Sequence, residues 1–336
     1  MIWSVGSPPG ADPSYVETVK ISPQYLAALA VSAIDGLDAV GTRPPYIETD
    51  DFVTGCVLDS RGRRWIVKCP KDSTAATALE AEAGLAPLLL DELRGGELPF
   101  DIIRPAGFAS VSAGGRAMVY PEPFGVPNDF AAMHEEEARE LGRTVAAIHM
   151  LQREIIEHAG LPVYSAEECR LRQLAEINDA EQVSRIPSVL RRRWSEALEN
   201  KDLWTFQPVV VHGNIDSENF LWSESTVSSV QGFGEAHVGD PATDLVHLLD
   251  LEPEILDCFT ESYYNTRGEH LDEHCLTRAF LLNELNIMRW LLHGIRTQNE
   301  AVQRDAQTML AELAEDVEAD PALNAGPAWD VDPSNS

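Results

Sequence analysis

The sequence is poor in positive charge: 25 Lys and Arg stand against 55 Asp and Glu, a formal charge of −30. A chain this acidic repels a phosphate backbone or an anionic bilayer, which argues against nucleic acid or a membrane as the main partner. A neutral or cationic small molecule suits it better. Cysteine is also scarce. The five present (Cys56, Cys69, Cys169, Cys258, Cys275) are odd in number and show no CxxC spacing. They read as buried thiols of a reduced compartment, not as a disulfide frame. No run of 18 apolar residues occurs, and the first residues lack a charged segment followed by an apolar one. Neither a spanning helix nor an export signal is therefore visible, and a cytoplasmic protein is predicted. What remains is ordinary globular material, 44% hydrophobic in 336 residues, long enough for two lobes around buried cores.

Residues 1–20 form a weakly patterned extension. Ser22 followed by Pro23 and an apolar repeat predicts a helix to Leu37. Phe52–Leu58 and Arg64–Cys69, joined by Asp59-Ser60-Arg61-Gly62, predict a hairpin. Ser73–Leu93 has helical spacing up to Gly95-Gly96, with Pro87 expected to kink or split it. Ile102–Val111 and Arg116–Tyr120 predict a second hairpin. Pro121–Pro127 holds three prolines in seven residues and reads as an irregular boundary. Beyond it, helices are predicted over His134–Leu151, Ala166–Ile177, Val189–Leu198, Ile255–Tyr264 and Leu276–Arg296. One β region interrupts them, made of Val209–His212, Phe220–Trp222 and Val227–Val230. From about Glu315 an acidic tail is expected. The division is then a sheet-plus-helix N-lobe over 21–120, a hinge over 121–127, a helical C-lobe over 128–314 and a tail over 315–336. That is a bilobal α+β architecture with a small mixed β-sheet lobe and a larger helical one.

The chemistry concentrates in two stretches. In the first, Val209-Val210-Val211 runs into His212-Gly213-Asn214-Ile215-Asp216-Ser217-Glu218-Asn219. Kinase-type phosphoryl transfer uses a loop H-x-D-x-x-x-x-N, whose Asp serves as base and whose Asn holds metal. His212, Asn214 and Asn219 occupy those positions, with Asn where the Asp belongs. The second stretch runs from Val230 to Leu245, where such enzymes place a second, metal-holding Asp.

Together these stretches resemble the aminoglycoside/macrolide phosphotransferase family, which has a protein-kinase-like fold. Its loop reads H-G-D-x-x-x-x-N, followed by V-I-D-[FW]-x-x-A-x-x-G-D-P-x-x-D-L. Gly239-Asp240-Pro241-Ala242-Thr243-Asp244-Leu245 matches the end of that pattern, and the order of elements agrees over about residues 22–310. The resemblance implies that Lys68 contacts nucleotide phosphates and that Glu82, with Glu80 as runner-up, pairs with it from the next helix. It further implies that Tyr120 and Glu122 meet the adenine ring at the hinge, and that ATP and Mg²⁺ are the cofactors.

The departures decide the expected mechanism. The family's base aligns with Asn214 and its metal-binding Asp with Gly232. A carboxamide takes up no proton near neutral pH and is a weak neutral ligand for Mg²⁺. A positioned base contributes about 10²–10⁴-fold and the metal several kcal/mol more. Residues 48–55 (ETDDFVTG) are acidic where a glycine-rich phosphate loop would lie. The leading expectation is a pseudokinase with impaired or absent phosphoryl transfer, keeping Asn219 and a Lys68–Glu82 pair. The alternative is an active O-phosphotransferase in which Asp216 replaces the base or Glu235 the metal ligand. A non-catalytic partner-binding scaffold is the second alternative. Restoring both acids, as Asn214→Asp with Gly232→Asp, is expected to bring back Mg²⁺-dependent nucleotide binding if the cleft is otherwise intact. His212 reads as a loop-holding residue, and Asp240 and Asp244 as cap and anchor. His270, His274 and Cys275 lack further ligands at usable spacing and read as a polar helix face.

Overall fold

The turn Asp59–Gly62 shows how side chains shape the first hairpin. Asp59 Oδ1 accepts the Arg61 and Arg63 amides at 2.9 and 2.8 Å, and Oδ2 accepts Arg63 Nε at 2.7 Å and Trp65 Nε1 at 3.1 Å. Burial pushes this carboxyl's pKa up, but the bonds from Trp65, Arg63 and Arg61 prevail and hold it far below the usual range. The strands Phe52–Asp59 and Arg64–Pro70 pair antiparallel as the sequence predicts, with Thr54 opposite Lys68.

The computed structural model describes residues 21–111, 114–268, 272–320 and 322–323, and the chain divides into two units. One runs to Ala76 and adds Ala106–Tyr120; the other comprises Thr77–Pro105 and the chain from Pro121 onward. In the first unit, the helix Pro23–Ala33 starts where Ser22 Oγ accepts the Tyr25 amide at 3.2 Å, and it stops short of Leu37. It buries Leu26, Leu29 and Ala30 against Val57, Val67, Ala117 and Val119 of a five-stranded sheet. In spatial order the strands are Ala39–Glu48, Phe52–Asp59, Arg64–Pro70, Arg116–Pro121 and Gly107–Ser110.

The second unit is mainly helical. The helix Ser73–Gly95 continues through Pro87 without being split. Proline removes one backbone donor there, but Leu85, Ala86 and Leu89 around it are fully buried and carry the helix past the gap. Asp101–Ile102 leaves the predicted second hairpin and pairs in parallel with Ser229–Val230; only Gly107–Ser110 and Arg116–Pro121 form that hairpin, whose expected turn residues Ser112 and Ala113 lie outside the described residues. The proline-rich boundary is not wholly irregular either. Val126–Pro127 forms the edge of a four-stranded sheet, opposite Trp222 and Leu221. A proline is tolerated at an edge because its missing N–H faces no partner strand.

Val209–Val211 pairs with His237–Gly239 in a separate two-stranded sheet, so it does not join Phe220 and Val227 as the sequence grouped them. The helix Glu135–His149 packs along Pro253–Arg267, and Cys275–Arg296 along Glu300–Ala319. That last helix carries regular structure beyond the expected start of the tail at Glu315. It starts at Asn299, whose Oδ1 accepts the Ala301 and Val302 amides. All five cysteines are buried and none forms a disulfide. Among the described residues no helix is long and apolar enough to cross a membrane.

Candidate functional site

The strand Val209–Val211 delivers His212 into the interior, with Phe233 and Phe220 packed around it at centroid distances of 4.4 and 5.7 Å. Its hydrogen bonds fix the tautomer. The Asn214 amide donates to Nδ1 at 3.2 Å, so Nδ1 carries no proton and Nε2 donates to the Gln231 carbonyl at 2.9 Å. Both ring nitrogens are thereby occupied in holding two loops together.

Asp244 anchors the same loop from beneath. Its Oδ2 accepts the His212 amide at 2.7 Å and its Oδ1 the Gly213 amide at 2.8 Å. Behind it, His149 Nε2 lies 3.0 Å from Oδ2 and His149 Nδ1 lies 2.8 Å from the Tyr263 hydroxyl. Burial acts to raise the pKa of Asp244, but the His149 bond together with the neighbouring imidazoles and the Gly213 amide outweighs it and keeps the carboxylate low. Burial lowers the pKa of His149. The consistent assignment is a neutral imidazole that donates from Nε2 to an ionised Asp244 and accepts from Tyr263. His149 and Tyr263 were not singled out in the sequence; the only signal was the His at the end of the apolar helix before the loop.

Gly213 and Gly232 allow the two loops to touch. Both have left-handed φ, +82° and +85°. A Cβ on Gly213 would meet the Glu235 carbonyl oxygen at 2.5 Å. A Cβ on Gly232 would land on the carboxamide of Asn219. That carboxamide donates through Nδ2 to the Asn214 carbonyl at 3.0 Å, and the Asn219 carbonyl accepts the Gln231 amide at 2.9 Å. Glu82 arrives from the helix Ser73–Gly95, and its Oε1 accepts the Gly232 amide at 2.5 Å. This bond from Glu82 to the loop backbone was not anticipated by the sequence.

The remaining candidates are placed as follows. Asn214 and Asp216 are exposed on the loop, and Asp216 Oδ1 accepts the Glu218 amide at 2.9 Å, capping its own short turn. Glu235 is exposed too; its carbonyl accepts from His237 Nδ1 at 2.8 Å. Lys68, in the first unit, sets its ammonium 4.6 Å from the centre of the Phe52 ring. In that unit Lys71 holds the acidic turn, with Nζ 2.8 Å from the Thr49 carbonyl and 3.3 Å from Glu48. Tyr120 is buried at the end of its strand, and Glu122 is half-buried just beyond. Asp240 caps Ala242 and also binds Arg278 with both oxygens at 2.8 Å; this fully buried guanidinium also reaches Asp272 and stacks on Phe206. His274 and Cys275 begin a helix, Cys275 wholly buried, and His270 lies outside the described residues.

The model of the phosphotransferase enzyme family (APH) matches residues 56–276 of the sequence. The chain belongs to that family. Solved structures with the same fold include the macrolide 2'-phosphotransferase MphH from Brachybacterium faecium, 23% identical over 82% of this chain and 94% of that one, with a TM-score of 0.67. A type I macrolide 2'-phosphotransferase is 20% identical over 86% and 98% of the two chains, with a TM-score of 0.67. APH(2")-IIIa, solved with GDP and kanamycin, is 20% identical over 85% and 96%, with a TM-score of 0.68. Comparison with curated proteins finds no match.

The side chains present do not fit the divalent ion expected in the phosphotransferase family. Gly232 offers no donor atom, and the carboxamide of Asn219 covers the space where a side chain at that position would start.

Proposed function

We propose that this phosphotransferase-family chain is a pseudokinase, which keeps the kinase-like fold and has lost effective phosphoryl transfer. The observation that carries this reading is Gly232, whose missing side chain leaves Asn219's carboxamide packed over the metal-holding position. Asn214 adds to it, since an amide in the base position takes no proton from a hydroxyl. Asp216 is a poor substitute because its carboxylate caps Glu218, and the Glu235 side chain is exposed. The charge of −30 favours a neutral or cationic small-molecule ligand, and five cysteines outside any disulfide favour the cytoplasm. Because related structures were solved with GDP, ADP, ATP, kanamycin, gentamicin and streptomycin, nucleotides and aminoglycosides are the first ligands to test.

The test is a phosphotransfer assay with ATP or GTP and Mg²⁺ against aminoglycosides and macrolides. Product formation is expected to stay at the level of the protein-free blank. Steady turnover would overturn the proposal, and its loss in Asp216→Ala or Glu235→Ala would identify the substitute carboxylate.

A further inference from the structure

The loops 212–219 and 231–235 are tied to each other by direct hydrogen bonds. In kinase-type sites the residues at the positions of Asn219 and Gly232 are joined by a divalent cation that both ligate. Here the first lays its amide over the second. The contact needs a residue at 232 that adopts φ +85° and carries no Cβ, and only glycine meets both conditions readily. Glu82 then takes the Gly232 amide, while the Gln231 amide goes to the Asn219 carbonyl and Gln231 Nε2 to the Glu218 carbonyl at 3.0 Å.

We infer that Asn219, Gly232 and Glu82 form an ion-independent clasp that closes the position a divalent cation would use. The inference deepens the non-catalytic reading and rests on it. Its consequence differs from simple loss of an acid. A site that has merely lost its Asp is repaired by returning the Asp, whereas a clasped one is disrupted by it. The double change Asn214→Asp with Gly232→Asp, expected from the sequence to restore Mg²⁺-dependent nucleotide binding, therefore does not restore it. A side chain at 232 must displace Asn219 and also strain the backbone.

The experiment reads melting temperature and the Gly232 amide resonance of the full chain, in magnesium chloride and in EDTA. The wild-type melting temperature is expected to be the same in both. Gly232→Ala should lower it by about 2–6 °C for a chain of this size, and Asn219→Ala should recover part of that loss in the double variant because the collision is relieved. Gly232→Asp should be lowered as well, with no rescue by Mg²⁺. The Gly232 amide proton should lie far downfield, stay there in Glu82→Gln, which keeps an acceptor oxygen, and move upfield in Glu82→Ala. If Gly232→Asp fails to fold, the wild-type and Glu82 measurements still decide. A melting temperature raised by Mg²⁺ in the wild type or in Gly232→Asp, an unchanged value in Gly232→Ala, or an amide resonance indifferent to Glu82→Ala would each overturn the clasp. None of these readings involves phosphate transfer, so the clasp and the non-catalytic reading can fail separately.

Discussion

His149 Nε2 and Asp244 Oδ2 meet at 3.0 Å in a fully buried pair, and the same carboxylate receives the backbone amides of the His212–Gly213 turn. The loop that carries Asn214 is therefore held by a carboxylate whose charge is stabilised from both sides.

The pair gives stability a defined pH dependence. Burial lowers the pKa of His149 in the folded chain, while an unfolded imidazole titrates near pH 6.5. The unfolded state then binds a proton that the folded state refuses, so stability falls as pH drops below about 6.5. Asp244 adds a second loss at lower pH, because a carboxylate held below its ordinary value of 3.8 stabilises the fold above that value and ceases to do so as it protonates. Melting curves from pH 8 to pH 4 should show the first decline, and His149→Gln should flatten it.

Replacing Asp244 by Asn leaves His149 Nε2 and two backbone donors facing at most one acceptor oxygen. Because His149 is neutral, the change leaves donors unsatisfied and no bare charge, and a buried donor that loses its acceptor costs about 1–3 kcal/mol. Urea titration at pH 7 should register a loss of that order, and amide exchange at His212 and Gly213 should accelerate.

Arg278 is fully buried between Asp240 and Asp272, with its guanidinium carbon 4.1 Å from the centre of the Phe206 ring. Arg278→Met should cost about 3–5 kcal/mol by leaving the carboxylates unpaired. Arg278→Lys keeps the charge but loses the two-pronged contact and the stacking, so its unfolding midpoint should fall between the two.

In the first unit, Asp59→Asn puts a donor where an acceptor stood. An amide group would face the Trp65 indole N–H and Arg63 Nε, both of which donate. The variant should melt earlier than the wild type at neutral pH, and the difference should shrink as the pH approaches the acid range where the native carboxylate protonates. Trp65 fluorescence reports the change directly.

Much of this molecule was readable from its residues. The Asp59–Gly62 turn, the helix after Ser22 and the G-D-P-x-x-D-L segment each state a local rule, and local rules survive folding. The pairing of Asp101–Ile102 with Ser229–Val230 was not readable, because two residues have no period and their partner lies far along the chain. At the site, the losses at positions 214 and 232 were plain from alignment with the family pattern. The direction of the Asn219 amide and the destination of Glu82 were not, since both residues are present in the sequence as an intact site would have them. A residue type records which bonds are available and not which are made.

The buried thiols also make the chain its own reporter of opening. Cys56 and Cys69 lie in one unit, and Cys169, Cys258 and Cys275 in the other. Burial pushes Cys69 and Cys169 up to about 11, so the reactive thiolate is rare while the fold is closed. Alkylation with iodoacetamide in rising urea, followed by peptide mass mapping, would show which unit yields its cysteines first and so which half of the protein is the weaker.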